Sequence, residues 1–309
     1  MKYVGIQEQI NSNNRKSFFL LLGFPILVLT AVFAVIFFLS YSDENSQNFQ
    51  NSIEIFIPMV PIILIIVGVW FLIAYFFNAS MINRTAGSQS LSRKDNMRVY
   101  NLTENLCMSV GMKMPMLRII ESDGLNAFAS GINEKTYTVT LTRGIINSLN
   151  DQELEGVIAH ELMHIRNKDV RLLIVSIIFV GIFSFFVQVA FRSFLYGGRR
   201  RRKNDGKAMI VILIVAAVAY LLSILFKFAL SRKREYLADT GAAQMTKNPD
   251  ALASALRKIS NNYKIDEVKS DDVKQMFIEN KSSSFLSSIG GLFATHPPVE
   301  KRIEILEQF

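Results

Sequence analysis

Four stretches of this chain run for roughly twenty residues without a charged side chain, and they limit what it can fold into. Phe18–Leu39 and Ile55–Phe77 lie near the N-terminus, while Leu172–Phe191 and Ala208–Phe226 bracket a basic loop later in the chain. Each is close to the roughly 20 residues that carry a helix across about 30 Å of hydrocarbon, where a helix satisfies its own backbone. The chain is 50% hydrophobic, with 24 Phe and a single Trp among 309 residues, which is too apolar for a plain soluble enzyme. Length alone would allow two ordinary domains. The first run is long, lacks a small-residue cleavage site behind it and is followed by a second run, so it reads as an anchor and not as a removed signal peptide. The expectation is an integral membrane protein with four transmembrane helices, over about residues 18–40, 55–77, 172–191 and 208–230.

Charge orients the chain. The loop Tyr41–Glu54 holds Asp43, Glu44 and Glu54 and no Lys or Arg, whereas Asn78–Arg171 is rich in both. By the positive-inside rule the N-terminus and residues 78–171 face the cytoplasm, and the short acidic loop lies on the far side of the cell membrane. The second pair of runs is less simple, since crossing twice would put Arg199, Arg200, Arg201, Arg202 and Lys203 outside, against that rule. A hairpin that only dips into the bilayer would leave this cluster at anionic headgroups, although run length favours spanning. The net charge of +8 has a simple source in basic loops facing anionic lipid. No basic stripe interleaved with aromatics points to nucleic acid. The single cysteine, Cys107, excludes an internal disulfide and a cysteine metal cluster, and its apolar helical surroundings read as those of a buried thiol.

The chemistry is concentrated in Asn150–Asp169. Leu154, Val157, Ile158, Leu162 and Ile165 recur at helical spacing, and Asn150 with Glu153 three residues on forms a capping pair. On that helix His160 and His164 stand four apart on one face, where two imidazoles can share one Zn²⁺ at about 2.0–2.1 Å. Glu161, beside the first of them, is placed to hold and deprotonate a water molecule at the metal. A surface helix carrying two His by chance is the bland alternative. With only three His in the chain, the order His-Glu-x-x-His favours the metal.

A catalytic zinc needs a third protein ligand and an open position. The candidates are His296, the one remaining histidine, or a carboxylate. Glu235 and Asp239, four apart on a helix after the fourth run, suit a ligand and an acceptor for the second ring N–H of a ligand His. A solvated acidic pair beside Arg232 and Arg234 is the alternative. Asp169, just past the zinc helix, reads as a helix-end group or a support for a ligand. Leu91–Met112 reads as a helix, and Leu117–Ile120, Ala127–Ala129 and Tyr137–Leu141 read as short strands. An edge strand there would hold a peptide extended through backbone hydrogen bonds, and Asn126, Ala127, Phe128 and Ala129 are the candidate edge. Ser260–Ser288 reads as a polar loop with a short helix near Val273–Ile278, and Val299–Leu306 as an amphipathic helix.

At this point the sequence resembles a known family. His160-Glu161-Leu162-Met163-His164 with Asn167-Lys168-Asp169, Arg234-Glu235-Tyr236-Leu237-Ala238-Asp239, Thr295-His296-Pro297-Pro298 and Lys301-Arg302-Ile303 are similar to the motifs of the HtpX-type membrane zinc metalloproteases, relatives of the type I CAAX prenyl proteases. The likeness spans nearly the whole chain. It implies an α+β membrane protein whose mostly helical, zincin-type protease domain carries a small β-sheet. The corresponding division is a transmembrane hairpin at 1–78, a first protease part at 79–171, an inserted hairpin at 172–230 and a second protease part at 231–309. The resemblance also implies one Zn²⁺ held by His160, His164 and Glu235, with Glu161 as general base, Asp239 in support and Asn126–Ala129 as the active-site strand. His296 would stand beside the cleft, stabilising the oxyanion or touching the zinc reversibly. The implied activity is hydrolysis, on the cytoplasmic side, of misfolded or damaged membrane proteins or other unfolded polypeptides. The four arginines of the inserted hairpin are not part of the family pattern.

Other readings meet specific obstacles. A site-2-type intramembrane protease would carry the motif inside a lipid-embedded helix, but Asp151, Glu153, Glu155, Arg166 and Lys168 flank it here. A CAAX-type prenyl-protein protease has more hydrophobic runs than this chain. A catalytically inactive zinc-binding membrane scaffold would fill all four metal positions, with His296 as the fourth, and the intact Glu161 speaks for an enzyme instead.

Overall fold

The computed structural model describes residues 6–40, 48–175, 232–262, 276–278 and 297–309, with isolated positions at 177, 188, 192, 214, 218 and 220. The chain divides into two compact units, one of Met1–Asn14, Phe77–Ile174 and Phe228–Phe309, the other of Arg15–Phe76 and Val175–Lys227.

The second unit is built on the greater part of two long helices, α1 (Ile6–Ser40) and α2 (Asn48–Thr85). Both outrun the apolar stretches that predict them, because the flanking residues 6–17 and 78–85 contain no Gly or Pro to stop a helix. Ile63, Val67 and Phe71 recur every four residues along α2 and pack with Phe24 and Val28 of α1 and with Val175. The remaining sides of α2 are apolar as well and exposed, among them Ile57, Ile62, Ile65, Trp70 and Phe76. A helix that is hydrophobic all round but covered along one stripe is suited to lipid on its other sides. Leu21–Phe38 and Asn48–Ile73, with mean hydropathy 2.7 and 2.8, are long and apolar enough to cross a membrane. The second expected pair, beyond Val175, lies outside the described residues apart from isolated positions, so two of the four expected spans are seen.

The first unit holds the rest. Its sheet runs in the order β1 (Gln89–Ser90), β2 (Met116–Ile120), β4 (Thr138–Thr142), β3 (Ala127–Ser130), with β2 and β4 parallel and the outer pairs antiparallel. Three strands fall within a residue of the predicted ones. The two-residue β1 is too short to leave a pattern. The helix expected from Leu91 begins later, as α3 (Met97–Ser109). Residues 92–95 instead form a turn in which the Ser92 N–H and hydroxyl both donate to Asp95 Oδ2, and Asn96 Oδ1 then accepts the Val99 N–H as a cap. Cys107 on α3 is buried, and burial pushes its thiol up to about 11, so it is an inert packing group.

After the short α4 (Arg143–Ser148) comes α5 (Asp151–Arg166), around which the unit is organised. Its start is the predicted capping box: Asn150 Oδ1 accepts the Glu153 N–H and Glu153 Oε2 accepts the Asn150 N–H, each at 2.9 Å. α6 (Arg232–Thr246), α7 (Pro249–Asn261), α3 and β3 pack against it. The crossings are close because they meet at glycines. A Cβ at Gly156 would lie 3.2 Å from Leu252 of α7, and one at Gly241 of α6 would overlap the end of Met163. Glu153 also binds α7, accepting from the Ser254 hydroxyl and from Lys258 Nζ, both at 2.7 Å. Burial opposes its charge, but Lys258, Ser254 and the cap outweigh it and hold the carboxyl below its usual range. The chain closes with α8 (Val299–Leu306), at the predicted bounds and packed on α6 and α7. Of the predicted loop, only Met276–Ile278 is described, and it forms a turn and bend rather than a helix.

Candidate metal centre

Two adjacent helices supply the centre. The helical spacing of His160 and His164 on α5 brings their Nε2 atoms to 3.1 Å. From α6, Glu235 places Oε2 3.7 Å from His160 Nε2 and Oε1 3.6 Å from His164 Nε2. Ligand atoms of all three residues lie within 4.8 Å of one another. A tetrahedral zinc site with bonds of about 2.0–2.1 Å has edges of about 3.3 Å, so two imidazole nitrogens and one carboxylate at these separations fit the ion. The electrostatics agree. Glu161, Glu235, Asp239 and Asp169 are all buried around the two imidazoles, a setting that favours positive charge at its middle.

Each histidine is held from behind. His160 Nδ1 lies 2.9 Å from Asp239 Oδ1, and His164 Nδ1 lies 3.1 Å from Asp169 Oδ2. Such contacts favour a proton on Nδ1, so that an ion at the centre would take the place of a proton on Nε2. Burial alone would depress the His160 imidazole, but Asp239 and then Glu235 outweigh it and lift it to about 9 against the charge of Arg302. Burial likewise opposes the charge of Asp239, yet Arg302 and His160 hold its carboxyl below the usual range. The solvated-pair alternative for Glu235 and Asp239 therefore fails, since both are buried and engaged. Truncating the His164 support, as Asp169→Ala, is expected to weaken zinc affinity by about 10–100-fold. A chelator-competition titration measures this, and an unchanged affinity would remove Asp169 from the centre.

Glu161 is next to His160 and only 2% exposed. Burial pushes its carboxyl above the usual range, His160 and His164 pull it back, Glu235 adds to the rise, and a backbone hydrogen bond from Ala129 favours its charge. That last contact ties it to the predicted edge. β3 is the terminal strand of the sheet, as expected of a strand that could receive a peptide. Asn126 pairs with Thr142 through the Thr142 N–H, so Ala127 and Ala129 turn their backbone groups to the open side. That side is already engaged. Ala127 O accepts the Ile278 N–H at 2.9 Å, the Ala127 N–H donates to Asn126 Oδ1, and the Phe277 ring stands edge-on to Phe128 at 5.3 Å.

One residue quoted within a sequence motif was given no role there. Arg302 of α8 is fully buried, with Nε and Nη2 on the two carboxylate oxygens of Asp239 at 2.8 and 2.7 Å and Nη1 on Ile278 O at 3.0 Å. The available signal was its spacing: Val299, Arg302 and Leu306 share the buried face of α8. An arginine on an apolar face needs a buried anion. His296, the remaining sequence candidate, lies outside the described residues.

The sequence profile of peptidase family M48 matches residues 93–309. A protein described as "Protease HtpX homolog" from Bacteroides fragilis is 55% identical over 100% of both chains. Another of that description from Listeria monocytogenes is 38% identical, over 97% of this chain and 98% of the other. The crystal structure of S. mikatae Ste24p aligns with 97% of this chain and 66% of that one, at a TM-score of 0.48 and 18% identity.

Proposed function

The chain belongs to peptidase family M48, and from that premise we propose that it is a membrane-bound zinc endopeptidase that cleaves unfolded or damaged membrane proteins on the cytoplasmic side. The observation that carries this reading is the convergence of His160, His164 and Glu235 within 4.8 Å, with buried Glu161 adjoining them. His160, His164 and Glu235 hold the ion, and Asp239 and Asp169 fix the two rings. When bound, zinc supplies Lewis acidity, which polarises a scissile carbonyl and makes a water molecule acidic near neutral pH. Glu161 takes the proton from the attacking water and delivers it to the leaving amine. Its burial keeps bulk water from competing for that proton. His296 is proposed to assist at the developing oxyanion.

The peptide would lie extended along β3 beside Glu161, displacing the Ile278 N–H from the outward carbonyl of Ala127. Two features support this placement: β3 is an edge strand, and it adjoins the proposed general base. The two apolar helices support a membrane location. The basic content of Asn78–Arg171 supports a cytoplasmic face, with Leu172–Phe191 and the run from Ala208 as a second spanning pair.

The test uses the full chain purified in detergent. Metal analysis should give one zinc per chain, and cleavage of casein should stop on chelation and return with added zinc. Bound zinc without casein cleavage under any reconstitution would overturn the endopeptidase reading.

A further inference from the structure

A second concave site lies where α5 ends, remote in role from the metal centre. It is a cavity of about 730 Å³, lined by Lys113 ahead of β2, Lys135 ahead of β4, Arg166 at the end of α5 and Lys168 and Arg171 behind it, with Glu134 as its one acidic residue. That volume is within the usual range of about 300–1,000 Å³ for ligand pockets. The chain makes a sharp turn to build it. Lys168 adopts a left-handed conformation, φ 60°, directly after the Asn167 cap. The turn sends Asp169 inward to His164, while Arg166, Lys168 and Arg171 line the cavity. Left-handed backbone is unfavourable for a lysine, so something must hold it there, and the buried Asp169 does so from one side.

Five cations around one cavity repel each other unless an anion joins them. None of the five forms an ion pair among the described residues. Arg171 Nε is more specific still, being buried and without a hydrogen-bond partner among them. A buried guanidinium donor left open is a costly feature, and a phosphate oxygen would satisfy it, since the planar fork of Arg suits phosphate geometry. The wall of the cavity is mixed, with Ile132 and Ile165 beside the cations. In sequence, Arg171 is followed at once by the uncharged run Leu172–Phe191.

We propose that this cavity binds a phosphate anion, supplied by the headgroup of an anionic phospholipid. The chemistry recognised is phosphate. The lipid is the source because the cavity has an apolar wall and adjoins in sequence an apolar run, and basic pockets so placed bind anionic headgroups. This inference does not rest on the proteolytic reading, because its readout is binding.

The experiment is native mass spectrometry of the full chain in phosphate-free detergent, titrated separately with phosphatidylglycerol, phosphatidylcholine and inorganic phosphate. Wild type should retain one phosphatidylglycerol, with phosphatidylcholine retained much more weakly. Arg166→Gln with Arg171→Gln should weaken phosphatidylglycerol by about tenfold or more, as expected for the loss of charge-assisted contacts. Lys113→Gln with Lys135→Gln alters only exposed side chains, so it tests the same site without risk to the fold, and it should weaken binding in the same direction. Millimolar inorganic phosphate that leaves the lipid in place supports the lipid source. Phosphate that binds alone, displaces the lipid and is lost in both variants overturns that source while keeping the site. Equal phosphatidylglycerol retention by wild type and both variants overturns the site itself.

Discussion

Glu161→Gln is expected to keep one zinc per chain and to lose casein cleavage by between about 10² and 10⁴-fold, the usual contribution of a positioned acid–base group. The substitution is nearly isosteric and leaves the three ligands untouched. His160, His164 and Glu235 converge through the α5–α6 packing, and their supports are Asp239 and Asp169, none of which depends on the charge of Glu161. The amide cannot accept the proton of an attacking water, nor hand one to a leaving amine. It can still accept a backbone hydrogen bond like the one Ala129 supplies to the carboxylate. Zinc retention with loss of turnover therefore separates a base from a ligand. Equal turnover by the variant and wild type would sink the mechanism, and loss of zinc would show that Glu161 acts on the centre itself. Because the zinc scaffold alternative has no use for Glu161 as a base, the same comparison decides between the two.

Much of this centre is legible in the chain because its signals are local. A four-residue helical spacing sets His160 and His164 on one face, a capping box fixes where their helix begins, and a second four-residue spacing pairs Glu235 with Asp239. Strand patterns around Leu117, Ala127 and Val139 give three of the four strands to within a residue, since short apolar runs between turns have few other uses. What escaped is long-range. The edge position of Ala127–Ala129 is a candidate in the sequence, but the parallel pairing of β2 with β4 that leaves β3 outermost is not, because no local pattern encodes it. The engagement of Ala127 by Ile278 joins residues 151 positions apart along the chain, 278 − 127, through a backbone hydrogen bond. Backbone groups carry no residue identity, so such a contact leaves no trace in composition. The late start of α3 escaped for a different reason: Ser92, Asp95 and Asn96 are turn and cap residues that apolar periodicity overrides.

Arg302 is the clearest case of a contact set by tertiary structure, and its removal carries the largest expected cost in stability. Its guanidinium uses three nitrogens at once, two on Asp239 and one on the carbonyl of Ile278, and none reaches water. Arg302→Met fills similar volume but leaves the buried Asp239 charge with only its His160 contact and Ile278 O unsatisfied. Breaking a buried pair in this way costs about 3–5 kcal/mol. At about 2–4 °C per kcal/mol for a domain of this size, the thermal midpoint should fall by about 6–20 °C. Arg302→Lys should recover little, because one ammonium cannot reproduce a bidentate fork and a third bond to Ile278. The discriminating measurement is a double-mutant cycle with Asp239→Asn, followed by thermal unfolding in detergent. If the cost arises from the stranded carboxylate, Arg302→Met should cost less than half as much once Asp239 is already neutral. A stability for Arg302→Met within about 1 kcal/mol of wild type, or a cost unchanged in the Asp239→Asn background, would show that the buried pair does not carry this stability.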